Sequence, residues 1–364
     1  MIVMEDFCAM KIKKIVISLL AIMVLGFVSL SLNPLSQTIV NADTATSSDA
    51  TTSSSSSQTA FKTPVLAIAS GLSSSEQQET IKAMRLNGQK GDLDINNIKE
   101  ITVHGTDAEK YLKQTNVSDA DIISSIYVQR DNTLNGSNKV TIKTPKLISS
   151  VTQEGYLTPL TTAGVQNLAV IVATAPSRGV VTGAGALTGL YKALSDQGVK
   201  LNAAKIKVAQ QELTTTTQIV KNAKTKDNDM SYSDRQKLDT QLATALAQIK
   251  TELAKYNNEE LTTAQIKKIV DQVLQNTKLN NQLSSKDNDL LYQLAKLYVA
   301  NKNNVLDANS IKRYKKLAST LISDLSKRWN TAVSSKEAQG FLAAIASALG
   351  KFFTGIGDAL QKLF

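Results

Sequence analysis

The segment Val181-Thr182-Gly183-Ala184-Gly185-Ala186-Leu187-Thr188-Gly189-Leu190 decides the fold of this chain. It comes shortly after Leu168 to Ala173, an apolar run of strand character, and its spacing opens a helix over Gly183 to Leu194. Glycines in such a turn serve one of two ends. They allow a tight turn and close packing of helix on sheet, or they let backbone amides at the helix start approach an anion. Here the spacing is Gly-x-Gly-x-x-x-Gly, one residue too long for a dinucleotide fingerprint. No acidic residue stands suitably about 20 positions on, and a phosphate-loop lysine is missing. Packing is the favoured reading, with Gly183, Gly185, Gly189 and Thr182 kept as the anion candidates.

Working outward, further short apolar or alternating runs read as strands: Pro64 to Ala69, Ile98 to Val103, Ile122 to Gln129 and Val140 to Thr144. Asn135-Gly136 between the last two is a hairpin signal. Helical patterns fall over Ser73 to Leu86, Asp107 to Gln114 and Ser149 to Ala163. Interleaved strands and helices with one hairpin imply an α+β architecture, a small α/β sandwich on a mixed sheet, spanning residues 61–198.

From Val199 the strand signals vanish. Ser233-Asp234-Arg235-Gln236, Thr262-Thr263-Ala264-Gln265 and Ser334-Ser335-Lys336-Glu337 each have the form of a capping box, which satisfies the first orphan amides of a helix. Amphipathic stretches such as Leu238 to Tyr256, Ile266 to Leu274 and Ile311 to Trp329 complete an all-α bundle over 199–364. Lys226-Asp227-Asn228-Asp229 is echoed by Lys286-Asp287-Asn288-Asp289. These acidic residues lack the Gly and Glu of a calcium loop and read as helix caps. Charge divides the two halves sharply. Residues 43–198 carry 13 basic and 14 acidic groups, residues 199–364 carry 25 and 15, and the +10 of the whole chain sits in the helical half.

The beginning fixes the expected compartment. Met10 is followed by Lys11, Lys13 and Lys14, an uncharged run from Ile15 to Leu32, and Val40-Asn41-Ala42, which suits signal peptidase cleavage before Asp43. The run is long enough to be an uncleaved anchor instead. Residues 1–9 read as an upstream extension, and the Ser/Thr-rich stretch 43–60 as a flexible spacer. Cys8 is the only cysteine and His104 the only histidine, which excludes the usual zinc sites and Cys/His nucleophile pairs. A base at His104 would need Ser124 or Ser125 as nucleophile and Asp107 to orient the ring, with no elbow motif to support it.

Four segments resemble a known family. They are Gly71-Leu72-Ser73 with Glu76-Gln77, Ser124-Ser125-Ile126-Tyr127-Val128, Tyr156 followed by Thr161-Thr162-Ala163-Gly164-Val165, and Ala175-Pro176 through Leu190 with Lys192-Ala193. Over about residues 64–194 the chain is similar to the secreted Gram-positive proteins of domain of unknown function 1002. The resemblance implies a fold and a compartment, and no activity. Thr182 stands where the family usually shows Ser.

Two surfaces remain. Lys312, Arg313, Lys315 and Lys316, with Lys327 and Arg328, are basic clusters suited to polyanions or to a solvated helix face. Residues 341–364 form an amphipathic helix pattern with Phe341, Ile345, Leu349, Phe352, Phe353, Ile356, Leu360 and Leu363 on one side, for docking on the bundle, for membrane or for self-association. The expectation is a secreted, envelope-associated, non-enzymatic module that needs no cofactor or metal. Its partners would be teichoic acid or anionic lipid rather than nucleic acid. An envelope hydrolase or transferase, and a membrane-active or self-assembling protein, are the alternatives.

Overall fold

A computed structural model describes residues 61–85, 97–112, 114–224 and 232–332. The signal segment, the spacer, the first Lys-Asp-Asn-Asp echo, the capping box at 334–337 and the terminal helix pattern lie outside the described residues.

Five strands form one mixed sheet: β1 (Val65–Ala69), β2 (Lys99–Val103), β3 (Ser125–Arg130), β4 (Lys139–Ile142) and β5 (Leu168–Ala173), in the order β2-β1-β3-β5-β4. β1 runs parallel to β2 and antiparallel to β3, and β5 runs antiparallel to β3 and parallel to β4. The hairpin expected at Asn135-Gly136 does not form, because β3 and β4 are not neighbours. β5 lies between them, with Val172 opposite Ile126 on one side and Val170 opposite Val140 on the other. Its run Leu-Ala-Val-Ile-Val-Ala is apolar at every position, which suits a central strand covered on both faces. The connection is tied to β5 instead. The Asn138 side chain donates to the Val165 carbonyl at 2.8 Å and accepts from the Leu168 amide at 3.1 Å.

Helix α1 (Ser74–Met84) covers one face of the sheet, where Leu66, Ile68, Met84, Tyr127 and Ala173 bury one another. It starts at a capping box made by Ser73 and Glu76. The other face carries α2 (Gly105–Leu112), α3 (Gln153–Thr162) and α4 (Ala184–Asp196). Gly185 and Gly189 let α4 settle on the strands. A Cβ at Gly189 would lie 3.1 Å from Ala67 and Val103, and one at Gly185 would lie 3.2 Å from Ile122.

The remaining helices are α5 (Ala203–Lys224), α6 (Tyr232–Ala254), α7 (Thr263–Asn276), α8 (Ser285–Ala300), the single turn α9 (Lys302–Val305) and α10 (Ala308–Ala332). Thr262 caps α7 in the expected box with Gln265. The sequence expected to cap a helix at Ser233 lies at the start of α6, which begins at Tyr232, and the Ser233 side chain is outside the described residues. In the second echo, Asp287 completes a capping box with Ser284 and also accepts from Asn222 at 2.6 Å.

Sheet and helices share a core. Ala209, Ala243, Leu317 and Leu321 of α5, α6 and α10 belong to the same apolar cluster as the sheet's inner face, while a second cluster lies wholly among the helices. α3 is the plate between them, packed on β4 and against α5, α6 and α10. Residues 238–251 of α6 are buried on every side. The fold is therefore α+β, with sheet and helices interlocked.

Candidate anion-binding site

A cavity of about 590 Å³ opens where the sheet-bearing part meets the helices. Its wall is assembled from segments distant in sequence: Arg130 at the end of β3, Asn135 and Gly136 before β4, Ala163 to Gln166 after α3, Val199 to Asn202 before α5, Lys205 in the first turn of α5, and Asn309, Lys312, Arg313 and Lys316 at the start of α10. Six of the lining residues are cationic and none is acidic. Phe61, Leu168 and Leu194 are almost fully buried and give it an apolar floor, while Lys200, Lys312 and Lys316 are exposed at its rim.

Local geometry draws two cations together. Gly164 has φ +86°, a left-handed turn that ends α3, and the position its Cβ would take lies 3.7 Å from Arg313 Nη2 and 3.9 Å from Lys205 Nζ. Lys205 Nζ is 3.4 Å from Asp307 and donates to the Ser310 hydroxyl at 3.2 Å, and Arg313 Nη2 donates to the same hydroxyl at 2.6 Å. The Arg313 Nε is buried with no hydrogen-bond partner. Burial, with the nearby Arg313 charge, holds the Lys205 ammonium below its usual pKa against the pull of Asp307. Burial alone would raise the Asp307 carboxyl. The Ser310 hydroxyl and amide, with Lys205 and Arg313, hold it below its usual range instead.

Of the basic residues singled out from sequence, Lys312, Arg313 and Lys316 line the cavity, and Lys316 Nζ donates to the Asn135 carbonyl. Lys315 does not line it; burial and the Lys255 charge lower its pKa. Lys327 and Arg328 continue α10, with side chains outside the described residues. Sequence reasoning missed Arg130, Lys200 and Lys205, which lie far from the α10 cluster in the chain.

The glycine turn is taken up by the protein itself. The Ala184 amide donates to Thr182 Oγ1 at 3.3 Å, the Ala186 amide to Ser124 Oγ at 2.9 Å, and the Tyr156 hydroxyl to the Gly183 carbonyl at 2.7 Å. Ser125 accepts from the Ala69 amide at 3.1 Å. Ser124, Ser125, Tyr127 and Tyr156 are all buried. His104 pairs through Nδ1 with Asp119 at 2.8 Å, while Asp107 accepts from the His104 amide at 2.8 Å and from Lys192 at 2.6 Å. The conceivable Ser-His-Asp set is thus dispersed into structural roles.

Behind the cavity, a buried polar knot ties five helices. Lys250 of α6 and Glu212 of α5 are 2.5 Å apart, their side chains 1% and 0% exposed. Glu212 also accepts from Thr162 of α3 at 2.5 Å and from Tyr298 of α8 at 2.6 Å. Lys250 donates to Thr162 at 3.0 Å and lies 4.0 Å from the centre of the Tyr314 ring of α10, a cation–π contact. Desolvation pushes the Lys250 pKa down against the attraction of Glu212, and pushes the Tyr298 hydroxyl far up.

A mixed five-stranded sheet interlocked with helices, carrying a basic cavity at the junction, defines the molecule as an α+β protein with a candidate anion site. The sequence model described as "Protein of unknown function (DUF1002)" matches residues 69–320, and the chain belongs to that family. The match runs beyond the four segments recognised in sequence and through most of the helical half. A relative in Bacillus subtilis (strain 168), the uncharacterized protein YpuA, is 28% identical over 305 residues, covering 82% of this chain and 89% of that protein. No solved structure matches. No described helix is long and apolar enough to cross a membrane.

Proposed function

We propose that this protein works outside the cytoplasmic membrane as a non-enzymatic binding module that contacts anionic polymers or lipid headgroups of a Gram-positive envelope. The carrying observation is the convergence of Arg130, Lys200, Lys205, Lys312, Arg313 and Lys316 on one cavity without a lining carboxylate. Charges of one sign against an apolar wall focus a field that draws in anions. The excess of basic groups over residues 199–364 supports the same reading, and the export pattern at 10–42 supplies the compartment.

The test is binding of the purified full chain to teichoic acid and to vesicles with and without phosphatidylglycerol, at low and physiological salt. Binding that requires the anionic component and weakens as salt rises is expected, because surface attraction is screened over about 8 Å at physiological ionic strength. Equal affinity for neutral vesicles, or no binding at low salt, refutes the reading.

A further inference from the structure

We propose that the junction cavity is a discrete seat for a phosphoryl group and the polyol attached to it, with Lys205 and Arg313 as the inner partners and Arg130, Lys200, Lys312 and Lys316 around them. This deepens the proposed function and rests on it.

Two cations held beside one turn repel each other, and here Asp307 and Ser310 are what compensates them in the protein. An anion between them relieves that repulsion. The Arg313 Nε is buried without a hydrogen-bond partner in the protein, so this side chain's charge is not fully satisfied by the fold. Cations reach the cavity from three directions: the sheet through Arg130, the connecting segment through Lys200, and the starts of α5 and α10 through Lys205, Lys312, Arg313 and Lys316. A tetrahedral phosphoryl group offers oxygens to all three. A planar carboxylate has two oxygens and satisfies one fork.

Size and lining narrow the class further. A space of about 590 Å³ lies within the usual range for small-ligand sites and exceeds what a lone phosphate fills. The ring among the lining residues, Phe61, is 2% exposed and offers no face for stacking a base. Polyol phosphate fits, whether from a lipid headgroup or from a soluble or polymeric ester. Because its cations come from both parts of the fold, the ligand ties the sheet to the helices when it binds.

The experiment uses the full chain, calorimetric titration and thermal unfolding, at fixed ionic strength. The probes are glycerol 3-phosphate, pyrophosphate and acetate, and vesicles of phosphatidylglycerol in phosphatidylcholine. Phosphate esters are expected to bind and raise the unfolding temperature, and acetate is not. Arg313→Gln is expected to weaken binding about tenfold, the loss of one charge-assisted contact. The exposed rim pair Lys200→Gln with Lys312→Gln should weaken it severalfold without touching the fold, while Lys268→Gln with Lys286→Gln, exposed and distant from the cavity lining, should change nothing. Cavity-dependent binding of vesicles but not of free ester assigns the phosphoryl group to a lipid headgroup; binding of both assigns it to esters in general. Acetate binding as well as phosphate overturns the phosphoryl assignment. Vesicle binding that the distant pair weakens as much as the rim pair overturns the seat while leaving the proposed function standing. Failure of every anion to bind overturns both.

Discussion

Replacing Glu212 by Gln isolates what the buried knot contributes. The substitution keeps the shape but removes the charge that Lys250 faces at 2.5 Å, and it places an amide donor among the Lys250, Thr162 and Tyr298 donors. Lys250 is then an uncompensated buried cation, a change that costs about 3 to 5 kcal/mol. The Tyr314 ring at 4.0 Å faces Lys250 in parent and variant alike, so it does not offset the loss, and the expected deficit stays about 3 to 5 kcal/mol. The pH dependence follows from the depressed Lys250 pKa. Between the folded and the unfolded pKa the unfolded chain binds more protons, so stability rises with pH there, by up to about 1.4 kcal/mol per unit. Removing Glu212 removes the effect that opposes the depression and widens that window downward. Urea unfolding at pH 7 and pH 9.5 is the assay. The deficit of Glu212→Gln should shrink at the higher pH, and Glu212→Gln with Lys250→Met should recover more than half of it. A deficit below about 1 kcal/mol with unchanged denaturant slope, or one that does not vary with pH, refutes the reasoning.

Gly185→Val should destabilise by about 1 to 3 kcal/mol through overpacking against Ile122 and Ser124, since Gly185 sits inside a helix and its backbone is not strained; a variant as stable as the parent in urea contradicts that packing. Thr262→Ala removes the hydroxyl half of the α7 capping box, leaving the Thr262 amide to the Gln265 side chain, and should cost about 1 kcal/mol, with a shift in urea midpoint too small to measure counting against it. The Asp119 carboxyl is held below the usual range first by the His104 bond and then by the Gly105 amide, so an NMR titration should place it low and His104→Ala should raise it. Stability from this contact is present above the unfolded pKa and fades as pH falls through the folded one, and an unshifted Asp119 in the parent would exclude it.

Element positions were largely legible in the sequence. β5 matches the run read from Leu168 to Ala173, and β1, β2 and the helix after Gly183 fall within a residue or two of their patterns. Period-two apolarity marks a strand without naming its neighbour, so the insertion of β5 between β3 and β4 was not readable. Asn135-Gly136 suggested a pairing that the Asn138 contacts override. The basic cluster on α10 was visible because its members are close in sequence. Arg130, Lys200 and Lys205 join it only in space. Glu212 and Lys250 resemble the solvent-facing charges of amphipathic helices. One signal pointed to their burial: residues 240–249 carry no charge, unlike the other helices, and that is the stretch enclosed on all sides.

The place of β5 in the sheet also sets the order in which the chain completes itself. A polypeptide appearing from its amino end presents β3 and β4 with the slot between them vacant, each with an open edge, until Leu168–Ala173 arrives. Closure comes later still, because Thr162 is enclosed with Glu212 and Lys250 only once Tyr298 and Tyr314 have appeared. Long-range pairings of this kind slow folding. Vectorial delivery, from a ribosome or through a membrane pore, therefore yields a pliant, unfinished chain for most of its length and a locked one only near residue 314.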